Sequence, residues 1–224
     1  MHNLRKLEIR GVLIGHVKND AFISAPNMEE LDISSVYLTS FDDDVFFQNK
    51  KLKKLTCYQC WYLEPLPLAL LDSLQNLEYL DLSYSPHSII GNNSSASRNS
   101  IDILPNLKVL NLTCSLVSDH RMCDQGLYQY ESPLDPDLLK PLVKLETLFM
   151  GKNGLTSWNH RRFESNTNLR SLSMPFNKFK SLTSAMIEDF KQLTYLDIRM
   201  NEGDYVLCDM QIVEFFNWAN ASET

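Results

Sequence analysis

The sequence predicts an α/β solenoid in which about eight short parallel strands stack into one curved, concave sheet. Three observations predict it. The motif L-x-x-L-x-L, with Met, Ile or Cys allowed for Leu, begins at Leu4, Met28, Leu52, Leu77, Leu107, Leu145, Leu169 and Leu193. Successive starts lie 24, 24, 25, 30, 38, 24 and 24 residues apart. The last two anchors of each motif are two residues apart, the period that places both on one face of a strand. They are Leu7 and Ile9, Leu31 and Ile33, Leu55 and Cys57, Leu80 and Leu82, Leu110 and Leu112, Leu148 and Met150, Leu172 and Met174, and Leu196 and Ile198. No single repeat can bury these anchors, so only stacking gives a core. Eight strands about 4.8 Å apart would make a sheet roughly 34 Å long.

This is a leucine-rich-repeat pattern, and the remaining positions follow from it. The ninth position normally carries Asn, whose amide satisfies turn groups that would otherwise be buried and unpaired. Asn153, Asn177 and Asn201 stand there in the last three repeats. Val12, Val36, Cys60, Ser85 and Ser115 stand there earlier, so the polar ladder is expected to be incomplete and the N-terminal half to turn less regularly. Ile14, Leu38, Leu155 and Phe179 supply a second apolar layer, and Phe22, Phe46 and Phe163 fill the convex side. The 24-residue length with that Phe resembles the typical extracellular repeat class of animals. Repeats occupy residues 1–200, with insertions near 85–100 and 119–137. The first insertion is rich in Ser and Asn and reads as an exposed loop. The second carries Tyr128, Tyr130 and two prolines, and is either a binding element or tolerated decoration.

Composition narrows the class. A chain of 224 residues, 44% hydrophobic, is large enough for one continuous core. With 21 Lys and Arg against 28 Asp and Glu the net charge is -7, which disfavours nucleic acid as the main partner. No stretch reaches the roughly 18 apolar residues of a membrane helix, so membrane attachment would come only through a segment outside these residues. The N-terminus has no signal-peptide pattern, and any secretory signal is expected to lie outside this sequence.

After Asn201 the period stops. Cys208, Asp209, Phe215 and Trp218 follow in the run NEGDYVLCD and the segment IVEFFNWA. With Asn201 they resemble the C-terminal cysteine cap of Toll-like receptor ectodomains, in which an N-x-F-x-C-x-C-[DE] run precedes a short helix ending in F-x-x-W. Val206 stands where that family has its first cap cysteine. The resemblance implies that residues 201–224 are a truncated cap and that the chain is the membrane-proximal part of a longer ectodomain. It also implies that the partner of Cys208 lies beyond Thr224.

Five cysteines cannot all pair within one chain. Cys57 and Cys60 form a C-x-x-C that could mean redox or metal chemistry, but their repeat phase assigns both to small buried positions. Cys114 and Cys123 are nine residues apart, and a disulfide between them would tether the second insertion. His120 lies between them, yet zinc needs a further ligand and none is evident. Sequons occur at Asn92, Asn93, Asn111 and Asn220. Asn111 holds the fifth position of its repeat and should point out of the concave face, where a glycan would obstruct it.

No catalytic signature, phosphate loop or cofactor motif is present, and the runs Glu29-Glu30 and Asp42-Asp43-Asp44 read as solvated surface. His2, His16, His87, His120 and His160 are scattered. The expectation is a binding protein, not an enzyme, without cofactor or metal. The resemblance implies a ligand- or receptor-binding ectodomain fragment of a Toll-like innate immune or developmental receptor. Its partner would be a protein ligand, a second receptor chain or a second copy, with the chain at the plasma-membrane exterior, in the endosome lumen or secreted. An adhesive extracellular protein without a signalling role is the alternative, and a cytosolic adaptor ranks third. Tyr128 and Tyr130 are the candidate contacts, unless they only pack the loop onto its own repeat.

Overall fold

The computed structural model describes residues 1–35, 37–60, 62–63, 66, 68–85, 104–116 and 138–201. Their strands are β1 (Lys6–Glu8), β2 (Leu13–Val17), β3 (Glu30–Asp32), β4 (Tyr37–Phe41), β5 (Lys54–Thr56), β6 (Tyr79–Asp81), β7 (Val109–Asn111), β8 (Thr147–Phe149), β9 (Ser171–Ser173) and β10 (Tyr195–Asp197). Two short helices accompany them, α1 (Leu68–Asp72) and α2 (Ser184–Phe190). Eight strands form one parallel sheet in the order β1-β3-β5-β6-β7-β8-β9-β10. Every strand of this sheet begins within the L-x-x-L-x-L motif, as the spacing predicts.

Register is set by the leucines. Leu7 faces Leu31, Leu31 faces Leu55, Leu55 faces Leu80 and Leu80 faces Leu110. Leu110 then faces Leu148, Leu148 faces Leu172 and Leu172 faces Leu196. A slip of one residue would turn the whole row outward. The row therefore stays in phase even across the 38-residue repeat, whose extra residues lie past the ninth position. Leu31, Leu55, Leu80, Leu110, Leu148 and Leu172 are buried, whereas Leu7 and Leu196 are only half-buried because each has a stacked repeat on one side. Phe22, Phe46 and Phe163 are buried on the convex side as expected, with Phe22 and Phe46 stacked at 5.5 Å.

The polar ladder is longer than expected. Asn153 Nδ2 donates to the Leu112 carbonyl (2.8 Å), Asn177 Nδ2 to Met150 O (3.0 Å) and Asn201 Nδ2 to Met174 O (3.2 Å). Each bond runs from a ninth position to the sixth-position carbonyl of the preceding repeat. Smaller donors complete the same link upstream: Ser115 Oγ to Leu82 O, Ser85 Oγ to Cys57 O (2.5 Å) and Cys60 Sγ to Ile33 O (3.1 Å). The expectation of an incomplete ladder is thus corrected for the third to fifth repeats. A hydroxyl or thiol can supply the one donor that the carbonyl needs. Asn does more, because its Oδ1 also accepts backbone N–H groups, from Ser115 and Leu116 at Asn153 and from Asn153 and Leu155 at Asn177.

From the ninth position on, the first two repeats pair through their backbones, with Tyr37 N donating to Val12 O (3.2 Å) and β2 and β4 forming a second, two-stranded parallel sheet. A second amide ladder fastens the entry edge of the strands. Asn27, Asn76, Asn106 and Asn168, each just before a motif, donate to the carbonyls of His2 (2.7 Å), Lys50 (2.8 Å), Gln75 (2.7 Å) and Val143 (2.8 Å).

The eighth position is left-handed in every repeat. Ser35, Gln59, Tyr84, Cys114, Lys152, Phe176 and Met200 have φ between 54° and 58°, and Gly11 has φ 66°. The bend that turns the chain away from the sheet requires this conformation, and only Gly11 adopts it without Cβ strain. Met200 is 70% exposed, so changing it disturbs little packing. Met200→Val should lower stability by about 1 kcal/mol and Met200→Asn should raise it slightly, because a β-branched side chain opposes this φ and Asn tolerates it. Urea titration of the two variants measures the difference.

The convex side of the last repeats is organised by one buried carboxylate. Asp189, in α2, accepts from Trp158 Nε1 (3.1 Å), Arg162 N (2.8 Å) and Arg161 Nε (3.3 Å). It thereby holds the Trp158 ring against Phe163, Phe179 and Phe190, at centroid distances of 5.9, 5.7 and 6.1 Å. Thr183 caps α2 by accepting from Met186 N.

Candidate functional site

Phase fixes which side chains face into the curve. At the second position Arg5, Glu29, Lys53, Glu78, Lys108, Glu146 and Arg170 alternate in sign. Parallel, in-register strands make them lateral neighbours. Arg5 pairs with Glu29, Lys53 lies 3.8 Å from Glu29, and Lys108 bonds Glu78 at 2.8 Å. The Lys108 ammonium holds the Glu78 carboxyl below the usual carboxylate range, and Glu78 raises Lys108 in return. At the third position Lys6 approaches Glu30 (3.8 Å) and Lys54 sits 4.5 Å over the Tyr79 ring.

Acids dominate the fifth position. Asp32 takes Arg10, and Asp197 accepts from Arg199 Nε at 2.9 Å, which lowers the Asp197 carboxyl. Asp81, Asn111 and Asp197 also accept the backbone N–H two residues on, from Ser83 (2.9 Å), Thr113 (3.1 Å) and Arg199 (3.2 Å), and so shape the bend. Except at the mostly covered Asp32 and Asp197 carboxylates, these pairs lie open to solvent, which screens them. Their effect is to cancel charge along the face. A partner lying there would be selected by shape and hydrogen bonding more than by net charge.

A band of aromatic and cationic side chains flanks the exit end of the strands. Tyr58 meets Tyr84 edge-on at 5.6 Å, and Lys152 Nζ lies 5.4 Å from the Tyr84 ring and 5.8 Å from the Phe176 ring. Tyr37 and Tyr62 pair at 4.5 Å. No sequence motif marks this band. Lys152 and Phe176 join it through the shared left-handed eighth position, which no residue type marks.

Two of the sequence-derived site residues lie among the described ones. Asn111, in β7, faces the concave side half-buried, with Nδ2 donating to Asp81 at 3.3 Å. Cys114 is buried and disulfide-bonded, at the point where the second insertion begins. Its partner lies outside the described residues, as do Cys123, Tyr128, Tyr130, Asn92, Asn93 and Asn220. Cys57 and Cys60 are both free and fully buried. Contact with Cys60, followed by burial, pushes the Cys57 thiol well up, so it stays protonated and unreactive.

One Ser-His-Asp trio occurs among these residues. His16 Nδ1 lies 2.8 Å from Ser40 Oγ and Nε2 lies 2.8 Å from Asp42 Oδ1. Ser40 is the cross-strand neighbour of His16, and Asp42 also accepts from Asn19 N (2.9 Å), the main cause of its lowered carboxyl. His16 is 42% exposed. The trio fastens β2 to β4 on an open surface, without the water-excluded setting that makes such a chain reactive.

The leucine rich repeat family model matches residues 2–56. Comparison with curated protein sequences gives no match. Solved structures give the same fold. Mouse RP105, in complex with MD-1, superposes with a TM-score of 0.70 at 19% identity, over 97% of this chain and 33% of that one. Human 5T4, a trophoblast glycoprotein also called Wnt-activated inhibitory factor 1, gives 0.66 at 20% identity, over 98% and 76%. TLR13, in complex with ssRNA13, gives 0.62 at 20% identity, over 87% and 28%. The chain therefore spans about a third or less of RP105 and TLR13. The molecule has the fold of a leucine-rich-repeat solenoid, which it shares with these structures.

Proposed function

We propose that the chain is a recognition module of an extracellular Toll-like receptor, binding a protein ligand or a second receptor chain through its solenoid surface. The observation that carries this reading is the disulfide at Cys114 within a leucine-rich-repeat array, because disulfides persist in oxidising compartments. The sequons at Asn92, Asn93, Asn111 and Asn220 support the same compartment. RP105 is seen with a protein partner and TLR13 with RNA; the charge of -7 and the self-neutralised concave rows favour a protein partner here. In this reading Cys123 is the partner of Cys114 and residues 201–224 are the cap. A glycan at Asn111 would break its bond to Asp81 and occupy the middle of the concave face.

We assign binding instead to the lateral edge from which the 119–137 insertion departs, with Tyr128 and Tyr130 as its contacts. Tyr is enriched at interface hot spots, and a tethered loop loses less entropy on binding. Tyr128→Ala with Tyr130→Ala should weaken lateral dimerisation or ligand binding of the parent ectodomain by more than about 1 kcal/mol with an unchanged melting temperature. Unaltered binding, with loss instead on changing Arg5, Lys6 and Arg10, would place the site on the concave face and overturn the lateral reading.

A further inference from the structure

Five lysines of this acidic chain converge at the edge where the backbone enters the strands. Lys50, Lys51, Lys53, Lys108 and Lys144 line a shallow depression of about 460 Å³, together with Glu29 and Glu78. Three positive charges are in excess there, against -7 for the whole chain.

The excess is localised. Lys53 and Lys108 are neighbours of Glu29 (3.8 Å) and Glu78 (2.8 Å). The other three touch neutral groups: Lys51 Nζ donates to Asn27 Oδ1 (2.7 Å), Lys144 Nζ to Asn106 Oδ1 (2.6 Å), and Lys50 sits 5.0 Å over the Phe47 ring, while Lys144 also acts through space on Glu78. The backbone beneath is fixed by the amide ladder, through Asn76 on the Lys50 carbonyl and Asn106 on the Gln75 carbonyl. Lys51 and Lys144 belong to the third and sixth repeats, so about 14 Å separates them along the sheet.

We propose that this edge binds a linear sulfated polysaccharide. A single sulfate or phosphate cannot span that separation, whereas a polymer bearing anions at short intervals meets both ends at once. Lysine acts as a point charge, without the planar fork that Arg presents, and so reads anionic groups with little demand on their orientation. Single-stranded nucleic acid adds base stacking on aromatic side chains. Among the described residues no aromatic ring lines the depression, and the nearby Phe47 ring already lies under Lys50. The three lysines changed in the test, Lys50, Lys51 and Lys144, carry no part of the receptor reading, so each can fail without the other.

Heparin immobilised on a sensor surface is the probe, at about 0.15 M ionic strength. The triple variant Lys50→Glu, Lys51→Glu, Lys144→Glu should bind at least about tenfold more weakly than the unaltered chain, with a shallower salt dependence. A control variant reversing Lys18, Lys180 and Lys191, elsewhere on the surface, should differ by less than about twofold. If the reversal impairs folding, the Lys→Gln triple variant is measured instead and should show the same order of binding. Heparin binding that is absent, or equal in the triple and control variants, overturns the proposal. Tighter binding of polyuridylate than of heparin also overturns it, in favour of nucleic acid.

Discussion

Replacing Leu148 with Asp abolishes cooperative folding of the array. Leu148 is fully buried in β8, between Leu110 and Leu172. The change removes about 2 kcal/mol of apolar burial and sets a carboxylate among leucines with no partner, which costs several kcal/mol more. The sum exceeds about 5 kcal/mol, a large share of the 5–15 kcal/mol that typically holds a domain together. Repeats contact only their neighbours, so a break at the sixth repeat divides the solenoid into pieces with exposed ends. Leu7→Asp is the matched comparison: Leu7 is half-buried at the open end, and its replacement should cost about 1–2 kcal/mol. Urea unfolding followed by circular dichroism separates the two, and an unchanged midpoint for Leu148→Asp would refute the packing described here.

Asn177→Leu keeps the size of the side chain but strips the ladder of a member bonded through both its amide oxygen and its amide nitrogen. Asn177 serves four backbone groups: the N–H of Asn153 (3.0 Å) and Leu155 (3.1 Å), and the carbonyls of Met150 (3.0 Å) and Met174 (3.0 Å). Asn177 is 3% exposed, so water cannot replace it there. At about 1–3 kcal/mol for each buried group left unpaired, the expected loss is about 4 kcal/mol or more. Ser85→Ala removes the bonds to the Cys57 carbonyl and the Cys60 N–H and should cost about half as much. A loss below about 1 kcal/mol for Asn177→Leu would mean that the turns are held by something other than this ladder.

Elements that repeat at a fixed position were legible in the sequence, and elements made by unlike residues were not. The leucine row reads directly from its period, and burial then fixes the register across the 38-residue repeat. At the ninth position the Asn residues were legible, while Cys60, Ser85 and Ser115 were read as gaps because only the carbonyl they face shows that a single donor is enough. The β2 and β4 pairing was missed, since both strands lie outside the L-x-x-L-x-L motif that marks the main sheet. The left-handed eighth position left no trace because Ser, Gln, Tyr, Cys, Lys, Phe and Met share no side-chain property. Asp189 was invisible for another reason, as Trp158 is 31 residues away and meets it only after two repeats have stacked. Of the candidate site, the alternating concave charges follow from repeat phase, because lateral neighbours occupy the same repeat position. The lysine depression was not, because its charge excess is contributed one or two residues at a time by separate repeats.

Hydrogen exchange at individual amides, in the unaltered chain and in Asn177→Leu, tests most directly that the ninth-position side chains couple each repeat to the one before. The Asn153 and Leu155 amides are bonded to Asn177 Oδ1, whereas Lys152 N donates to the Pro175 carbonyl. The account predicts slow exchange at all three in the unaltered chain and, in the variant, acceleration at Asn153 and Leu155 well beyond that at Lys152. Equal acceleration at the three amides, or none at any, would contradict it.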